Sequence, residues 1–321
     1  MKTLSKPVRT IRKETTATQQ TIDLGGEWTL RQAGKKETVK AIVPGAVHTD
    51  LLTAGKIPDP YYRDNEDRLQ WIGETDWIYQ REFDIQQEFL KHEQIILRCA
   101  GLDTLATIKI NSRELSRTNN MFRTWEFDVK HLLKEGRNII VIRFDSTIPY
   151  IKIRDAEHHI PLREPPHGVN GANWVRKEQC NYGWDWGPCL LTCGIWRPIK
   201  LIACNATRLG DVDIRQKHAK DGSVTLDITS GLTNASKTTS TVSIIVARED
   251  KTIIAGTTAF KNGKAHIART ITNPELWWPN DMGNQPLYTV TVNLIGQDGS
   301  ILDTAVKRIG LRIRSLIDTY R

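Results

Sequence analysis

Apolar positions in this chain recur with a period of two over short runs. Trp77–Ile85 (WIYQREFDI), Leu105–Ile110 (LATIKI) and Asn138–Phe144 (NIIVIRF) alternate in this way. Successive side chains of a strand face opposite sides, so each run predicts a half-buried strand. Glu27–Leu30, Val39–Val43, Gln94–Cys99, Trp125–Val129 and Ile195–Ala203 predict further strands, and VHTDLL (Val47–Leu52) a short helix. From about Asn205 a second set begins: Asp211–Gln216, Ser223–Leu232, Thr241–Ala247, Thr252–Phe260, Ala265–Ile271, Leu287–Gly296 and Ile301–Gly310. Many short strands between turns, with almost no helical period, predict an all-β chain of sandwiches or jelly rolls. The second set has the strand count of an immunoglobulin-like sandwich, although the Cys-Trp-Cys spacing of antibody domains is absent.

Two stretches break the pattern. Residues 1–21 are polar and predict a disordered tail. Asp145–Gly171 carries Pro161, Pro165, Pro166, His158, His159 and His167 and reads as a long loop. Adjacent histidines do not converge easily on one ion and no acidic partner stands at ligand spacing, so no metal is expected there.

Length and composition narrow the class. A chain of 321 residues suits two domains, and 39% hydrophobic with 26% charged residues fits a globular protein. No apolar run approaches the ~20 residues of a membrane span. The basic N-terminus lacks an apolar core and does not read as a secretory signal as written; the compartment is left open. The net charge is +8. Lys2, Lys6, Arg9, Arg12 and Lys13 against Glu14 place half of that excess in the N-terminal tail. No basic stripe interleaved with aromatics remains, which argues against a nucleic-acid partner. The five cysteines (Cys99, Cys180, Cys189, Cys193, Cys204) lack zinc-site spacing and read as buried thiols, with one disulfide open within Cys180–Cys204. Asn205 and Asn234 open glycosylation-type triplets.

The stretch richest in chemistry is Asn173–Pro188, NWVRKEQCNYGWDWGP. Trp174, Trp184 and Trp186 lie close together, with Asp185 between the last two. An indole offers an apolar face to the C–H side of a sugar ring, and a carboxylate accepts hydrogen bonds from its hydroxyls. On a regular strand Trp184 and Trp186 would share one face and Asp185 the other. With the rings inward, only Asp185 meets a ligand. With Asp185 inward, it needs donors, which Arg176 could supply. The flanking glycines and Pro188 favour a bulge or turn, and a third arrangement has both rings in the core with Asp185 capping that turn.

This stretch resembles the signature of β-mannosidases of glycoside hydrolase family 2. PGAVHTDLL (Pro44–Leu52), NEDRLQWIGETDWIYQREF (Asn65–Phe83), ELWWPNDMGNQPLY (Glu275–Tyr288) and RIGLRIRSL (Arg308–Leu316) resemble the same family, so the likeness runs over about residues 22–318. It implies a jelly-roll, galactose-binding-like domain over residues 22–204, an immunoglobulin-like sandwich over 205–312, and over 313–321 the start of a linker to a (β/α)8 barrel. Both catalytic carboxylates of the family belong to that barrel. The chain is therefore expected to be the N-terminal, non-catalytic part of a retaining exo-β-mannosidase, inactive alone and without a cofactor. Asp185 is expected to bind sugar hydroxyls, held ionised by Arg176, with Trp184 or Trp186 as a wall and Asn173 beside them. The implied partners are a β-mannoside or manno-oligosaccharide and the barrel. Self-association through the surface facing that barrel is expected as well. A stand-alone carbohydrate-binding module, or a β-galactosidase- or β-glucuronidase-like fragment, are the alternatives. His48 reads as structural. Trp277-Trp278-Pro279 reads as a packed corner rather than a second sugar platform.

Overall fold

The computed structural model describes residues 19–160, 171–204, 207–233, 241–249 and 251–312. The expected tail up to residue 18, the segment with His167, both glycosylation-type asparagines and the expected linker at 313–321 lie outside these residues. Chain contacts divide the molecule into two units, with residues 20–204 in the first and the residues from 205 onward in the second.

The first unit contains strands β1 (Gln19–Asp23), β2 (Gly26–Gln32), β3 (Val39–Val43), β4 (Trp77–Ile85), β5 (Gln94–Cys99), β6 (Leu105–Ile110), β7 (Arg113–Asn119), β8 (Trp125–Asp128), β9 (Gly136–Phe144) and β10 (Ile199–Cys204). They form a six-stranded sheet, β3-β2-β4-β9-β6-β7, and a four-stranded sheet, β1-β10-β5-β8. Alternation does the folding here: along β9, Asn138, Ile140, Ile142 and Phe144 are buried while Arg143 faces out. The core lies between the sheets, built from Leu24, Trp28, Tyr79, Leu97, Ile108, Ile142 and Leu201 among others. Buried aromatics find partners for their polar atoms: Trp28 Nε1 donates to the Leu24 carbonyl at 2.8 Å and Trp77 Nε1 to that of Ile72 at 3.0 Å. This is the jelly-roll sandwich expected.

Three local expectations change. Strand β1 starts at Gln19, ahead of the expected Ile22, and completes the four-stranded sheet beside β10. Strand β7 replaces what reads as turn and loop. The segment Asp145–Gly171 is not loop throughout: Thr147–Glu157 is a helix. Ser146 caps it, its Oγ accepting from the Ile148 N–H at 3.3 Å. The helix buries Thr147 and Ile151, and Ile151 packs with Ala172, Val175, Tyr182 and Leu191 in a small second cluster. A short helix at Val47–Thr53 matches the expectation for VHTDLL.

The second unit has seven strands: β11 (Arg208–His218), β12 (Val224–Thr233), β13 (Thr241–Arg248), β14 (Lys251–Ala259), β15 (Lys264–Ile271), β16 (Tyr288–Ile295) and β17 (Ile301–Ile309). A three-stranded sheet, β11-β12-β15, and a four-stranded sheet, β14-β13-β16-β17, are antiparallel throughout. Val224, Leu226, Ile228, Val242, Ile244, Val290 and Val292 fill the space between. Trp277 is packed as expected: its N–H donates to the Leu311 carbonyl at 2.8 Å, and a Cβ on Gly310 would come within 2.8 Å of the ring. Trp278, by contrast, is exposed.

Ile142 pairs with Tyr79 on β4 and Ile108 on β6 and is fully buried. Ile142→Ala should lower the stability of the first unit by about 2–5 kcal/mol in urea unfolding followed by tryptophan fluorescence.

Candidate sugar-binding site

The stretch Gly171–Gly194 is irregular backbone held by specific side chains. Gly171 opens it at φ +81, where a Cβ would lie 2.7 Å from Ile151 Cγ2 of the helix beneath. A short 3-10 turn at Ala172–Trp174 follows. Val175 is extended, and from it the chain alternates: Val175 and Lys177 are buried, Arg176 and Glu178 exposed. The run lies beside Asn120 and Met121, with the Met121 N–H donating to the Arg176 carbonyl at 3.0 Å.

This alternation drives the Lys177 ammonium into the protein, where both Lys177 and Asp103 are 3% exposed. Lys177 Nζ makes a short ion pair with Asp103 Oδ2 and donates to the Thr192 carbonyl at 2.9 Å. The other Asp103 oxygen accepts from the Thr104 hydroxyl. Asp103 and Gly194 also exchange backbone hydrogen bonds of 2.9 and 3.1 Å. The start and end of the irregular stretch are thus both fastened to one buried carboxylate residue. A buried ion of this kind persists only when paired and hydrogen-bonded.

His48, from the helix Val47–Thr53, is buried close enough to Lys177 to feel its charge. Burial first, and then the Lys177 ammonium, lower its imidazole from the ordinary 6.5 to about 4. It is therefore neutral near pH 7, in keeping with the structural role read from its position. Two residues on, Asp50 accepts from the Ile42 N–H at 3.0 Å and the Tyr79 hydroxyl at 3.1 Å. Burial raises its carboxyl, and these two donors oppose the rise.

Trp184, Asp185 and Trp186 form a turn. The Trp184 N–H donates to the Gly187 carbonyl at 3.3 Å and the Gly187 N–H to that of Trp184 at 3.4 Å, leaving Asp185 and Trp186 at the tip. Gly183 enters the turn at φ 94, a conformation that favours glycine. The indoles lie 6.1 Å apart, tilted by 49°. They are 46% and 73% exposed, and Asp185 is exposed with them. The arrangement with both rings in the core is thereby excluded. So is the opposition of rings and carboxylate on a flat strand, because a turn replaces the strand.

Arg176 does not meet Asp185 as expected: no hydrogen bond or ion pair joins them among the described residues. Arg176 instead borders a cavity of about 300 Å³ with Asn119, Tyr150, Asn173 and Trp174. Asn173 Oδ1 and Trp174 Nε1 are buried without a hydrogen-bond partner among the described residues. Asn173, Trp174 and Arg176 therefore line one cavity. The expected site residues fall into two places, Asn173 with Arg176 and Trp184–Trp186 on the turn. Sequence reasoning passed over Asp103 and Lys177. The buried position of Lys177 was available from the alternation beginning at Val175.

The fold defines a class, a protein of two successive antiparallel β-sandwiches. Residues 28–197 match the family described as "Glycosyl hydrolase 2 galactose-binding domain-like", and residues 207–312 match "Glycosyl hydrolases family 2". The chain belongs to glycoside hydrolase family 2. It is similar to the "Beta-mannosidase B" of Thermothelomyces thermophilus, at 34% identity over 92% of this chain and 35% of that protein. The "Beta-mannosidase" of Bos taurus is 29% identical over 92% of this chain and 35% of its own length. A crystal structure of the β-D-mannosidase of Dictyoglomus thermophilum superposes with a TM-score of 0.83 at 34% identity, covering 91% of this chain and 36% of that one. The chain thus spans about a third of the length of the curated relatives it matches.

Two outcomes follow. Lys177→Met should cost about 3–5 kcal/mol in urea unfolding, because Asp103 is left charged, buried and unpaired; adding Asp103→Leu should recover most of it. His48 has a folded-state pKa below its unfolded one, so the unfolded chain binds more protons between these values. Stability should fall as the pH drops from about 6.5 to about 4, and His48→Met should flatten the fall in urea midpoints across that range.

Proposed function

We propose that this chain supplies sugar-contacting residues to a retaining exo-β-mannosidase that releases terminal β-D-mannose from mannosides and oligosaccharides. The observation that carries this reading is the Trp184–Gly187 turn, which holds a carboxylate between two exposed indoles. An ionised carboxylate accepts only, with about four lone-pair sites on its two oxygens, and so fits a pair of adjacent sugar hydroxyls. The indoles cover the apolar C–H face. Arg176 and Asn173 line a separate cavity that offers further polar contacts. The names of the relatives support mannose over galactose or glucuronic acid.

The role is binding and orientation. A retaining mechanism needs two carboxyl groups about 5–5.5 Å apart, one as nucleophile and one as acid/base. Among the described residues the buried aspartates are committed elsewhere: Asp103 to Lys177, Asp50 to Ile42 and Tyr79, and Asp303 to the Leu209 and Thr304 N–H groups. In this reading the catalytic pair comes from a barrel of the same protein. Asp185 lowers the barrier by holding the sugar in its reactive orientation. The exposed aromatic residues Tyr61, Tyr62, Trp71, Trp184 and Trp186 also give the isolated chain a surface for self-association, which light scattering over a concentration series will detect as a rising mass.

Calorimetry of the chain with methyl β-D-mannoside tests the proposal. Binding should weaken about tenfold or more in Asp185→Ala, the scale of a hydrogen bond to a charged group. Equal affinity of Asp185→Ala and the wild type, or release of aryl aglycone by the 321-residue chain unaided, would contradict it.

A further inference from the structure

The turn that carries Asp185 is gripped at its foot by a distant part of the chain. The Cys189 N–H donates to Glu66 Oε1 in a short contact. The Cys189 carbonyl accepts from Gln70 Nε2 at 2.8 Å. The same Nε2 donates to the Glu66 backbone carbonyl at 3.0 Å, which ties the Gln70 side chain to the Glu66 main chain. Cys189 is 2% exposed, so both of its backbone polar groups need a protein partner. Neither finds one in a strand or helix. Glu66 and Gln70 supply both, across sequence separations of 123 and 119 residues.

The surroundings make this grip firm. Glu66 belongs to the helical turn Asn65–Arg68 and Gln70 to the 3-10 turn Gln70–Ile72. Asn65 is buried and donates from Nδ2 to the Asp59 carbonyl at 2.8 Å. At the end of the segment a Cβ on Gly73 would lie 2.7 Å from Leu191 Cβ, so the two stretches close together without a gap. The Gly73 carbonyl accepts from Ser146 Oγ at 2.7 Å. Ser146 caps the helix whose Thr147 hydroxyl accepts from Tyr182 at 2.9 Å. Tyr182 lies just before the turn and Cys189 just after it. Both feet of the turn thus rest on supports joined to one another through Gly73 and Ser146.

We infer that Glu66 and Gln70 are positioning residues for the sugar-contacting turn. They set where Trp184, Asp185 and Trp186 stand by holding Cys189, without touching the sugar themselves. Contacts placed about 1 Å off lose much of their worth, so a loosened mount reduces affinity even when every contacting side chain is present. This rests on the mannoside-binding reading of the turn, but the holding of the turn can be observed without sugar.

The test uses the chain labelled with 5-fluorotryptophan and followed by fluorine NMR. The Trp184 and Trp186 resonances are assigned through Trp184→Phe and Trp186→Phe, with Trp28 as the core reference. Glu66→Ala should broaden or split the two turn resonances and leave the Trp28 line unchanged. Glu66→Gln, which keeps an acceptor oxygen, should restore them. Affinity for methyl β-D-mannoside should fall about tenfold in Glu66→Ala and stay within about threefold in Glu66→Gln. Should Glu66→Ala fail to fold, Gln70→Ala, which frees only the Cys189 carbonyl, reports the same broadening. Unchanged turn resonances in the Ala variant that folds would overturn the inference. A wild-type chain whose resonances ignore mannoside, but broaden on Glu66→Ala, would sink the sugar reading and leave the brace standing.

Discussion

The buried pair of Lys177 and Asp103 is the constraint on which the irregular stretch above the first sandwich depends. The segment from Gly171 to Gly194 has little regular backbone pairing of its own and must be closed by side chains. Lys177 reaches in from one end to Asp103 and the Thr192 carbonyl, while Gly194 pairs through its backbone with Asp103 at the other. An ammonium and a carboxylate removed from water stabilise little in net terms, but the loss of either partner costs several kcal/mol. Such a pair specifies an arrangement more than it adds stability. Here it specifies where a loop leaves the sandwich and where it returns.

With the base closed, the outer part of the loop is free to present residues a core would not tolerate. Two indoles and a carboxylate with no ion-pair partner among the described residues stand exposed on a turn entered through a glycine at positive φ. The apolar cluster of Ile151, Ala172, Val175, Tyr182 and Leu191 supports the loop from beneath. The exposed aromatic surface that results is unfavourable in water. The two carboxylates differ in setting: Asp103 is buried and holds the base of the loop, while Asp185 stands exposed on the turn.

Much of the fold was legible because alternation is a local signal. β4, β5 and β6 begin and end where the run of apolar positions does, and each predicted strand of the second unit is present. β7 escaped because RELSRTN carries polar residues on both faces and lies at the sheet edge, where only Thr118 is buried. The helix Thr147–Glu157 escaped because Pro161, Pro165 and Pro166 made the whole segment read as loop, and because only Thr147 and Ile151 of the helix are buried. At the site the residue types pointed to sugar, and the exposure of Trp184–Trp186 accords with it. The partner assigned to Asp185 did not hold. Proximity in sequence favoured Arg176, whereas the alternation from Val175 turns Arg176 outward and sends Lys177 to a carboxylate 74 residues away. Pairings over such distances, like those of Glu66 and Gln70 with Cys189, leave no periodic trace in a single sequence.

A crystal structure of the protein with a β-mannoside analogue bound tests the central claim most directly. The account predicts an Asp185 oxygen within hydrogen-bond distance of a sugar hydroxyl and an indole of Trp184 or Trp186 against the ring. A sugar seated elsewhere, with the turn pointing away from it, would contradict the account.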